Sequence, residues 1–378
     1  MTVLDGFDAI APGLRRRPDV EAHDLVAADA SDRLILAQAG PALERTTGGE
    51  VVVIGDRYGA LTLPLVTAGF RVRVHQDSIT GRRALERNAD ERGVDLSAAE
   101  QLPLGPELVR GARLVLLQLP RALDALDEIA GLVAAHAAAD VAVVAGGRIK
   151  HMTLAMNGVL ARHFGDVQAS RAASKSRVLH ASGPLPATAS GWPRVVRHED
   201  VGLTVVAHGA AFAGASVDIG TRFLLEFLPD MPAADRVIDL GCGTGILATA
   251  YALAHPDAEV IASDQSAAAV ASARATAAAN GAERIHVVQD DALSGRPDAS
   301  ADLVLLNPPF HSGAAVTSAI APRLFADAAR VLRPGGELWC VWNSPLGYRP
   351  ALQRLVGPTR QAARNSRFTV TVSTRAAN

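Results

Sequence analysis

Short apolar runs alternate with helical stretches along this chain, and the whole alternation occurs twice. Val51–Ile54 opens the first series and Arg236–Leu240 opens the second, and each of these runs ends at a glycine. Apolar, β-branched runs separated by helices are typical of parallel sheets that are covered on both faces. The sequence therefore predicts an α/β protein with two tandem, doubly wound, Rossmann-like domains. Its 378 residues are enough to build two such cores.

A stretch rich in proline, glycine and serine separates the two series. It runs from Ser182 to Pro193, and its composition is typical of a linker. We therefore expect a first domain over residues 1–182, a linker over residues 183–193 and a second domain over residues 194–378.

The composition excludes several classes of protein. No apolar run approaches the roughly 18 residues of a membrane span, and the N-terminus carries acids without a basic segment. Cys242 and Cys340 are the only cysteines, so we expect neither a disulfide framework nor structural zinc. These features predict a cytoplasmic protein with no metal and no membrane attachment, and we favour a monomer. The net charge of −2 leaves nucleic-acid binding to a local basic patch.

A glycine-rich loop follows the first strand of the second series. The segment from Asp239 to Gly245 reads Asp-Leu-Gly-Cys-Gly-Thr-Gly, with its glycines at Gly241, Gly243 and Gly245. Glycines after a strand allow a tight turn and let a ligand approach the backbone without meeting a Cβ atom. Taken alone, such a loop also fits a simple turn or a dinucleotide site.

Acidic residues beside the loop indicate which cofactor it binds. Asp239 precedes the glycines and suits a cationic amino group, while Asp264 ends the next strand, where it is placed to bind both ribose hydroxyls. Asp291, after the third strand, is our choice for the adenine amino group. Together with the tetrapeptide described next, these acids predict S-adenosylmethionine (SAM) as the cofactor.

The tetrapeptide Asn307-Pro308-Pro309-Phe310 ends a buried-type apolar run and is followed by His311. Two prolines remove two backbone donors, so carbonyl groups are left without internal partners. The Asn307 side chain adds another carbonyl oxygen, and Phe310 adds a flat apolar face. Such a site accepts hydrogen bonds from a planar –NH2 group while it stacks on the ring that carries the group. It predicts methylation of an exocyclic or amide nitrogen, with His311 either shaping the pocket or only packing against it.

The first half repeats these loops without their chemistry. Gly55-Asp56-Arg57-Tyr58-Gly59 stands where the glycine loop stands in the second half, and Gln118-Leu119-Pro120-Arg121 stands where the tetrapeptide stands. We expect Asp56, Arg57 and Tyr58 to crowd the place that a nucleotide would occupy. The first half therefore has the pattern of a degenerate copy that kept its fold.

These residues resemble the bacterial ribosomal RNA guanine-N2 methyltransferases. In the second half the resemblance covers His208–Phe212, Asp218–Arg222, the glycine loop, Asn307–His311, Gly335–Leu338, Asn343 and Leu346–Tyr348; in the first half it covers Ala30–Leu34, Pro120-Arg121 and Lys150 through Lys175. The resemblance implies SAM as methyl donor, guanine N2 in ribosomal RNA as acceptor, and a degenerate N-terminal domain that aids substrate binding. Asp218–Arg222 and Leu346–Tyr348 are more similar to the large-subunit enzymes than to the small-subunit enzymes.

The densest basic segment lies in the first half, from Arg148 to His180. It holds six lysines and arginines, three histidines and one acid, and Lys150 and Lys175 are the only lysines of the chain. A charge run is usually a solvated face. Here it lies in the half without a cofactor loop, which favours binding of RNA phosphates. The predicted RNA-binding residues are Arg148, Lys150, Lys175 and Arg177.

Other functions fit parts of the same pattern. Methylation of a protein glutamine amide or of adenine N6 also uses Asn-Pro-Pro-aromatic motifs, although more often with tyrosine in the fourth position. A non-catalytic RNA-binding or ribosome-assembly protein would not need the intact loop and tetrapeptide. An NAD oxidoreductase fits least well, because the sequence offers no acid/base pair for hydride transfer.

Overall fold

The computed structural model describes residues 2–23, 25–186, 191–309 and 314–376. The chain divides into two compact units, residues 1–192 and residues 193–378. The boundary between the units falls inside the stretch that the sequence predicts as a linker. Phe310, His311 and residues 187–190 of that stretch lie outside the described residues.

Seven strands form the sheet of the first unit, as far as the chain is described. In chain order they are β1 (Val51–Ile54), β2 (Val72–His75), β3 (Ala99–Gln101), β4 (Leu114–Gln118), β5 (Ala142–Arg148), β6 (Phe164–Ala169) and β7 (Ser176–Pro184). The α-helices of this unit are α1 (Val3–Ile10), α2 (Ala30–Leu43), α3 (Thr62–Thr67), α4 (Ile79–Arg92), α5 (Pro106–Val109), α6 (Leu123–His136) and α7 (Ala155–Ala161). One-turn 3-10 helices lie at Ala11–Gly13, Leu96–Ala98 and Ile149–His151.

The described part of the second unit opens with an antiparallel pair and continues with a sheet of the same size. Its strands are β8 (Arg194–His198), β9 (Leu203–Ala207), β10 (Arg236–Leu240), β11 (Glu259–Asp264), β12 (His286–Gln289), β13 (Ala301–Leu306), β14 (Leu332–Asn343), β15 (Thr359–Arg364) and β16 (Phe368–Thr374). Its α-helices are α8 (Ile219–Leu225), α9 (Ile246–Ala254), α10 (Ala267–Ala279), α11 (Ala314–Val331) and α12 (Arg349–Leu355), with 3-10 turns at Leu228–Asp230 and Ser344–Leu346.

The two large sheets have the same topology. Their strand orders are β3-β2-β1-β4-β5-β7-β6 and β12-β11-β10-β13-β14-β16-β15. In each sheet the first five strands are parallel and the last two are antiparallel to their neighbours. The prediction of tandem doubly wound domains is confirmed. Because parallel strands present their carboxyl ends at one edge, residues that follow neighbouring strands meet there.

The central strands could be predicted from the sequence because they lie in the core of each sheet. Val51–Ile54 and Ala301–Leu306 are buried along their whole length, as expected for strands covered by helices on both faces. The pairing of Leu240 with Leu306 sets the carboxyl ends of β10 and β13 side by side. That register brings the glycine loop and the tetrapeptide to the same edge of the sheet.

Several elements were not foreseen. The basic segment is folded into the end of β5, then α7, β6 and β7, rather than forming one uniform face. Strand β7 runs on to Pro184, so the first two residues of the expected linker belong to it.

None of the helices in the described ranges is long and apolar enough to cross a membrane.

Candidate active site

The three loop glycines have different physical roles. All have positive φ, at 71° for Gly241, 53° for Gly243 and 76° for Gly245. A Cβ atom at Gly241 or Gly243 would meet nothing within 4 Å, whereas one at Gly245 would lie 2.8 Å from the Cβ of Ala273. Gly245 therefore lets the loop pack against α10. Gly241 and Gly243 leave open space above the loop, which is what a closely bound ligand requires.

Asp239 lies beneath the loop at the end of β10 and is only 1% exposed. Its Oδ2 accepts a hydrogen bond of 3.0 Å from the backbone N–H of Ala248. Its Oδ1 is buried and has no hydrogen-bond partner in the described part of the chain. Burial, together with repulsion from Asp264, raises the pKa of the Asp239 carboxyl to about 7. A cation placed against Oδ1 would satisfy this atom and favour its ionised form.

Asp264 supports the loop from the neighbouring strand. Its Oδ2 accepts from the backbone N–H of Gly243 at 3.0 Å, and its Oδ1 accepts from the N–H of Ser266 at 2.9 Å. Each carboxylate oxygen can accept more than one hydrogen bond, so these two contacts do not by themselves exclude the ribose hydroxyls. The contact of Asp264 with the ribose stays a prediction. Its contact with Gly243, which supports the loop, was not predicted from the sequence.

Asp291 forms an ion pair with Arg323 instead of lining the cavity beside the glycine loop. Its Oδ2 is 2.5 Å from an Nη2 nitrogen of Arg323, and Asp291 does not line the cavity beside the glycines. Its neighbour Asp290 accepts from the Oγ of Ser294 at 2.6 Å and from the N–H of Gly295 at 2.8 Å, so it holds the turn after β12. The adenine contact of Asp291 therefore stays a prediction that these contacts do not support.

The side chain of Asn307 is locked in one orientation. Its Nδ2 donates to Oδ2 of Asp218 and to Oγ1 of Thr221, each at 2.9 Å. A carboxylate only accepts, so the nitrogen of the amide must face Asp218. The Oδ1 of Asn307 is then left buried and without a partner among the described residues. Buried carbonyl oxygens are seldom left unpaired, so this acceptor is a candidate contact for a bound amine.

Helix α8 positions the partners of Asn307. Asp218 is the N-cap of this helix, and its Oδ2 accepts from the backbone N–H groups of Gly220 at 2.9 Å and Thr221 at 3.2 Å. The cap thus holds the carboxylate against Asn307. From the sequence, Asp218–Arg222 was noted only as part of the family resemblance. Aspartate is a favoured N-cap residue, so its position just before a helix could have been recognised as a cap signal.

The remainder of the tetrapeptide is described in part. Pro308 is buried and Pro309 is exposed. Phe310 and His311 lie outside the described residues, so stacking by Phe310 and a role for His311 stay predictions.

One cavity connects these elements. It is lined by the glycine loop, Asp239, Asp218, Thr221 and Asn307, with Phe212, Ala213, Ser216, Ile246 and Leu247 around them. Phe212 is 54% exposed and extends the apolar wall, a position that sequence reasoning did not single out as part of the site. Burial, with Asp264 and Asp239 nearby, raises the pKa of the Cys242 thiol, which keeps it protonated and unsuited to nucleophilic attack.

The corresponding loop of the first unit is closed by its own side chains. Tyr58 is buried, its hydroxyl donates to Oδ2 of Asp19 at 2.6 Å, and the guanidinium carbon of Arg16 lies 4.8 Å from its ring centroid. Asn88 donates to the Tyr58 carbonyl at 2.8 Å. The segment before α2 therefore covers the place of the cofactor loop.

Asp56 and Arg57 act differently from the expectation that they crowd this place. Asp56 is fully buried and accepts from the backbone N–H groups of Gly59, Leu61 and Thr62, so it holds its own turn. Arg57 is exposed. Of the three residues, Tyr58 is the one whose side chain contacts the segment before α2.

The four predicted RNA-binding residues converge in the first unit. Strand β7 is antiparallel to β5, and the register pairs Arg148 with Ser176 and Gly147 with Arg177. The backbone N–H of Ile149 donates to the carbonyl of Lys175 at 3.0 Å. Arg148, Lys150, Lys175 and Arg177 therefore lie together at the carboxyl end of β5.

Other cations of the basic segment lie elsewhere. Arg162 and His163 each lie 2.8 Å from Oδ1 of Asp127, and the indole of Trp192 donates to the other oxygen of Asp127 at 3.0 Å. His180 contacts Gln38 at 3.0 Å. These side chains are satisfied within the unit.

The strand order, the glycine loop with its open space and the acids beside it define a Rossmann-like, SAM-dependent methyltransferase. Two family models match the chain, "RLMG N-terminal domain" over residues 7–184 and "Methyltransferase small domain" over residues 202–372. The chain belongs to the family of ribosomal RNA large subunit methyltransferase G. The predictions of the family, the enzyme class and the methyl donor are confirmed.

Curated relatives cover almost the full length of the chain. The Streptomyces avermitilis protein is 38% identical over 371 residues, which is 95% of this chain and 96% of the relative. The Pseudomonas aeruginosa PAO1 protein is 38% identical over 361 residues, covering 94% and 96%. Both carry the name ribosomal RNA large subunit methyltransferase G.

A solved structure has the same fold over most of the chain. It is a T. thermophilus 16S rRNA N2 methyltransferase in complex with AdoMet and guanosine. It is 23% identical, has a TM-score of 0.72, and the match covers 89% of this chain and 92% of that one.

Proposed function

We propose that the protein transfers a methyl group from SAM to the exocyclic N2 of a guanine in large-subunit ribosomal RNA. The observation that carries this proposal is the locked amide of Asn307, whose unpartnered Oδ1 lies in the same cavity as the glycine loop. An acceptor oxygen that is fixed in this way can hold the –NH2 group of a substrate in one orientation before the reaction.

The residues of the cavity fit SAM. Oδ1 of Asp239 is buried without a described partner, so the ammonium of the methionine end would satisfy it. The open space above Gly241 and Gly243 accommodates a ligand that lies against the backbone. When bound, SAM supplies a methyl group already activated on its sulfonium.

Asn307 orients the acceptor. In our proposal its Oδ1 and the carbonyl of Pro308 accept the two N–H groups of the amine, and they point the nitrogen lone pair toward the methyl group. Accepting these hydrogen bonds also stabilises the positive charge that develops on nitrogen. Because Asp218 and Thr221 hold the amide in advance, no reorganisation is needed as the base enters.

The choice of substrate is supported by the names of similar proteins. The curated relatives are named for the large-subunit RNA, and the structure with the shared fold is named for guanine N2 and contains guanosine. We propose that the protein acts in the cytoplasm on ribosomal RNA, and that Arg148, Lys150, Lys175 and Arg177 contact the RNA. Guanine N2 is paired within a duplex, so the target must be single-stranded or flipped out.

A comparison of ribosomal RNA from wild-type and deletion strains tests the proposal. Mass mapping should reveal one guanosine of the large-subunit RNA that loses a methyl group in the deletion strain. Restoring the wild-type gene should return the methyl group, whereas the Asn307→Ala gene should not. An unchanged large-subunit map, or a lost methyl on adenine, would contradict the proposal.

A further inference from the structure

A second carboxylate lines the cavity that holds the glycine loop. The first is Asp239, which lies beneath the loop and whose unpartnered Oδ1 serves the proposed contact with the cofactor. The second is Asp218, which is half-buried and lines the cavity beside Asn307. The hold on the Asn307 amide uses only one oxygen of this carboxylate.

The hydrogen bonds that the structure gives Asp218 all end on Oδ2. This oxygen accepts from the backbone N–H groups of Gly220 and Thr221 and from Nδ2 of Asn307, at 2.9 to 3.2 Å. None of these hydrogen bonds involves Oδ1. Because three donors hold Oδ2, the carboxylate cannot turn freely. Oδ1 is therefore an acceptor that is held in place at the wall of the cavity.

Asp218 and Asn307 thus place two neighbouring acceptors in the cavity. Oδ1 of Asn307 is buried without a partner among the described residues, and a hydrogen bond of 2.9 Å joins its amide to Asp218. Neighbouring acceptors are complementary to a base edge that offers neighbouring donors. Guanine has such an edge, because its N1–H stands next to its 2-amino group. Adenine has a lone pair at N1, which a carboxylate would repel.

We infer that Oδ1 of Asp218 accepts a hydrogen bond from N1–H of the target guanine and thereby selects guanine over bases that carry a lone pair at N1. This inference rests on the proposed function, because Asn307 must hold the 2-amino group for N1 to face Asp218. A base that has left its duplex exposes this edge to the protein. Asp218 then both supports Asn307 and determines which base is methylated, since the contact that attracts guanine repels its competitors.

The experiment compares two bases at the methylated position. 2-Aminopurine keeps the 2-amino group of guanine but carries a lone pair at N1. The full-length protein and SAM are incubated with one of two synthetic fragments of large-subunit RNA, which hold either guanosine or 2-aminopurine ribonucleoside at the mapped target position. Methyl transfer gives kcat/KM for each fragment, and the ratio of the two values measures the preference for guanine.

In Asp218→Asn this ratio should fall roughly 10- to 100-fold, which is the effect of one hydrogen bond to a charged group. The asparagine oxygen remains the acceptor for the two backbone N–H groups and for Asn307, so the –NH2 group takes the place of Oδ1. That group donates to N1 of 2-aminopurine and opposes N1–H of guanine. An unchanged ratio in Asp218→Asn would overturn the inference.

Thr221→Val is the matched control, because it loosens Asn307 and leaves the Asp218 carboxylate in place. The Thr221 hydroxyl is the other acceptor for Nδ2 of Asn307, at 2.9 Å, and valine has a similar shape without it. Methylation of both fragments should slow by the same factor, so the ratio should stay near the wild-type value. A ratio that falls as far as in Asp218→Asn would show that the orientation of Asn307, and not Asp218, sets the preference.

Two further readouts separate the alternatives. SAM binding to Asp218→Asn, measured by calorimetry, should equal that of the wild type, which also shows that the variant is folded. A large loss of SAM affinity would assign Asp218 to the cofactor and overturn the inference. If the wild type does not methylate the guanosine fragment, the proposed function fails together with the inference. If it does and the ratio is the same in both proteins, the inference alone fails.

Discussion

Nδ2 of Asn307 donates to Oδ2 of Asp218 at 2.9 Å, although the two residues are 89 positions apart in the chain. Asp218 caps α8 and Asn307 follows β13, so a helix cap fixes the orientation of the amide. The first unit keeps a related contact, in which Gln118 donates to Asp32 in the first turn of α2. The supporting architecture is thus retained in both units, whereas the Asn-Pro-Pro is present only in the second.

Asp218→Asn should slow methyl transfer on the order of tenfold or more, because an uncharged amide oxygen accepts from Nδ2 of Asn307 more weakly than the carboxylate does and holds the Asn307 amide less firmly. The SAM dissociation constant should change little, since Asp218 is not proposed to hold the cofactor. Turnover at saturating RNA and calorimetric SAM binding measure the two effects.

Asp29→Asn is the matched control for this variant, because Asp29 caps α2 in the first unit. Both substitutions leave asparagine, itself a favourable N-cap residue, at the start of a helix, so each should change stability little. If the two variants lose turnover equally, Asp218 acts through folding and not through the Asn307 amide.

Asn307→Ala should reduce methyl transfer on the order of 10²–10³ while SAM still binds, because one positioned acceptor is lost. A radiolabel transfer assay measures the loss, and calorimetry measures SAM binding. Gln118→Ala, at the same place in the first unit, should retain turnover. A near-normal rate in Asn307→Ala would show that the acceptor lies elsewhere.

SAM affinity should rise as the pH rises through about 7, the raised pKa of Asp239. Below that pH the carboxyl is protonated and presents no charge to the ammonium of SAM. Binding measured from pH 6 to pH 8 tests this. In Asp239→Asn the affinity should be weaker at pH 8 and should vary much less between these two values.

The raised pKa of Asp239 also makes the folding stability depend on pH. Because the folded-state pKa of Asp239 lies above its unfolded value, protonation favours the folded state. This contribution is full below the unfolded value and is lost as the pH rises through about 7. Bound SAM offsets the loss, so the SAM-induced rise in melting temperature should be larger at pH 8 than at pH 6.

Two glycine substitutions should separate stability from binding. Gly243→Ala adds a Cβ in open space, so its only cost in stability, roughly 1–2 kcal/mol, should come from the positive φ. The added Cβ should also weaken SAM binding, because it occupies the space above the loop. Gly245→Ala carries the same backbone cost and also meets Ala273 at 2.8 Å, so it should be destabilised further. Urea denaturation and SAM titration measure the two effects, and equal stability of the two variants would contradict the assigned packing role.

The buried parts of the fold were the most predictable. Val51–Ile54 and Leu303–Leu306 read as strands because both of their faces are buried, which leaves continuous apolar runs. Strands β6 and β15 escaped prediction because they lie at the sheet edge and are largely polar and exposed. Periodicity carries little signal for such strands.

The site was predictable where one short motif contains it. The glycine loop and the Asn-Pro-Pro could be read directly, since turn geometry and lost donors follow from residue type. The contacts of Asn307 with Asp218 and of Asp291 with Arg323 could not be read, because they depend on how distant elements pack. The convergence of Lys150 with Lys175 likewise required the register of β5 and β7.

Transfer of an isotopically labelled methyl group tests the central claim most directly. The purified full-length protein is incubated with labelled SAM and large-subunit ribosomal RNA from the deletion strain, and the digested nucleosides are separated by chromatography against standards and identified by mass. We expect about one labelled methyl group per RNA, on N2-methylguanosine, and labelling slowed on the order of 10²–10³ when Asn307→Ala replaces the wild-type protein. Label on N6-methyladenosine, or undiminished label with the Asn307→Ala protein, would contradict it.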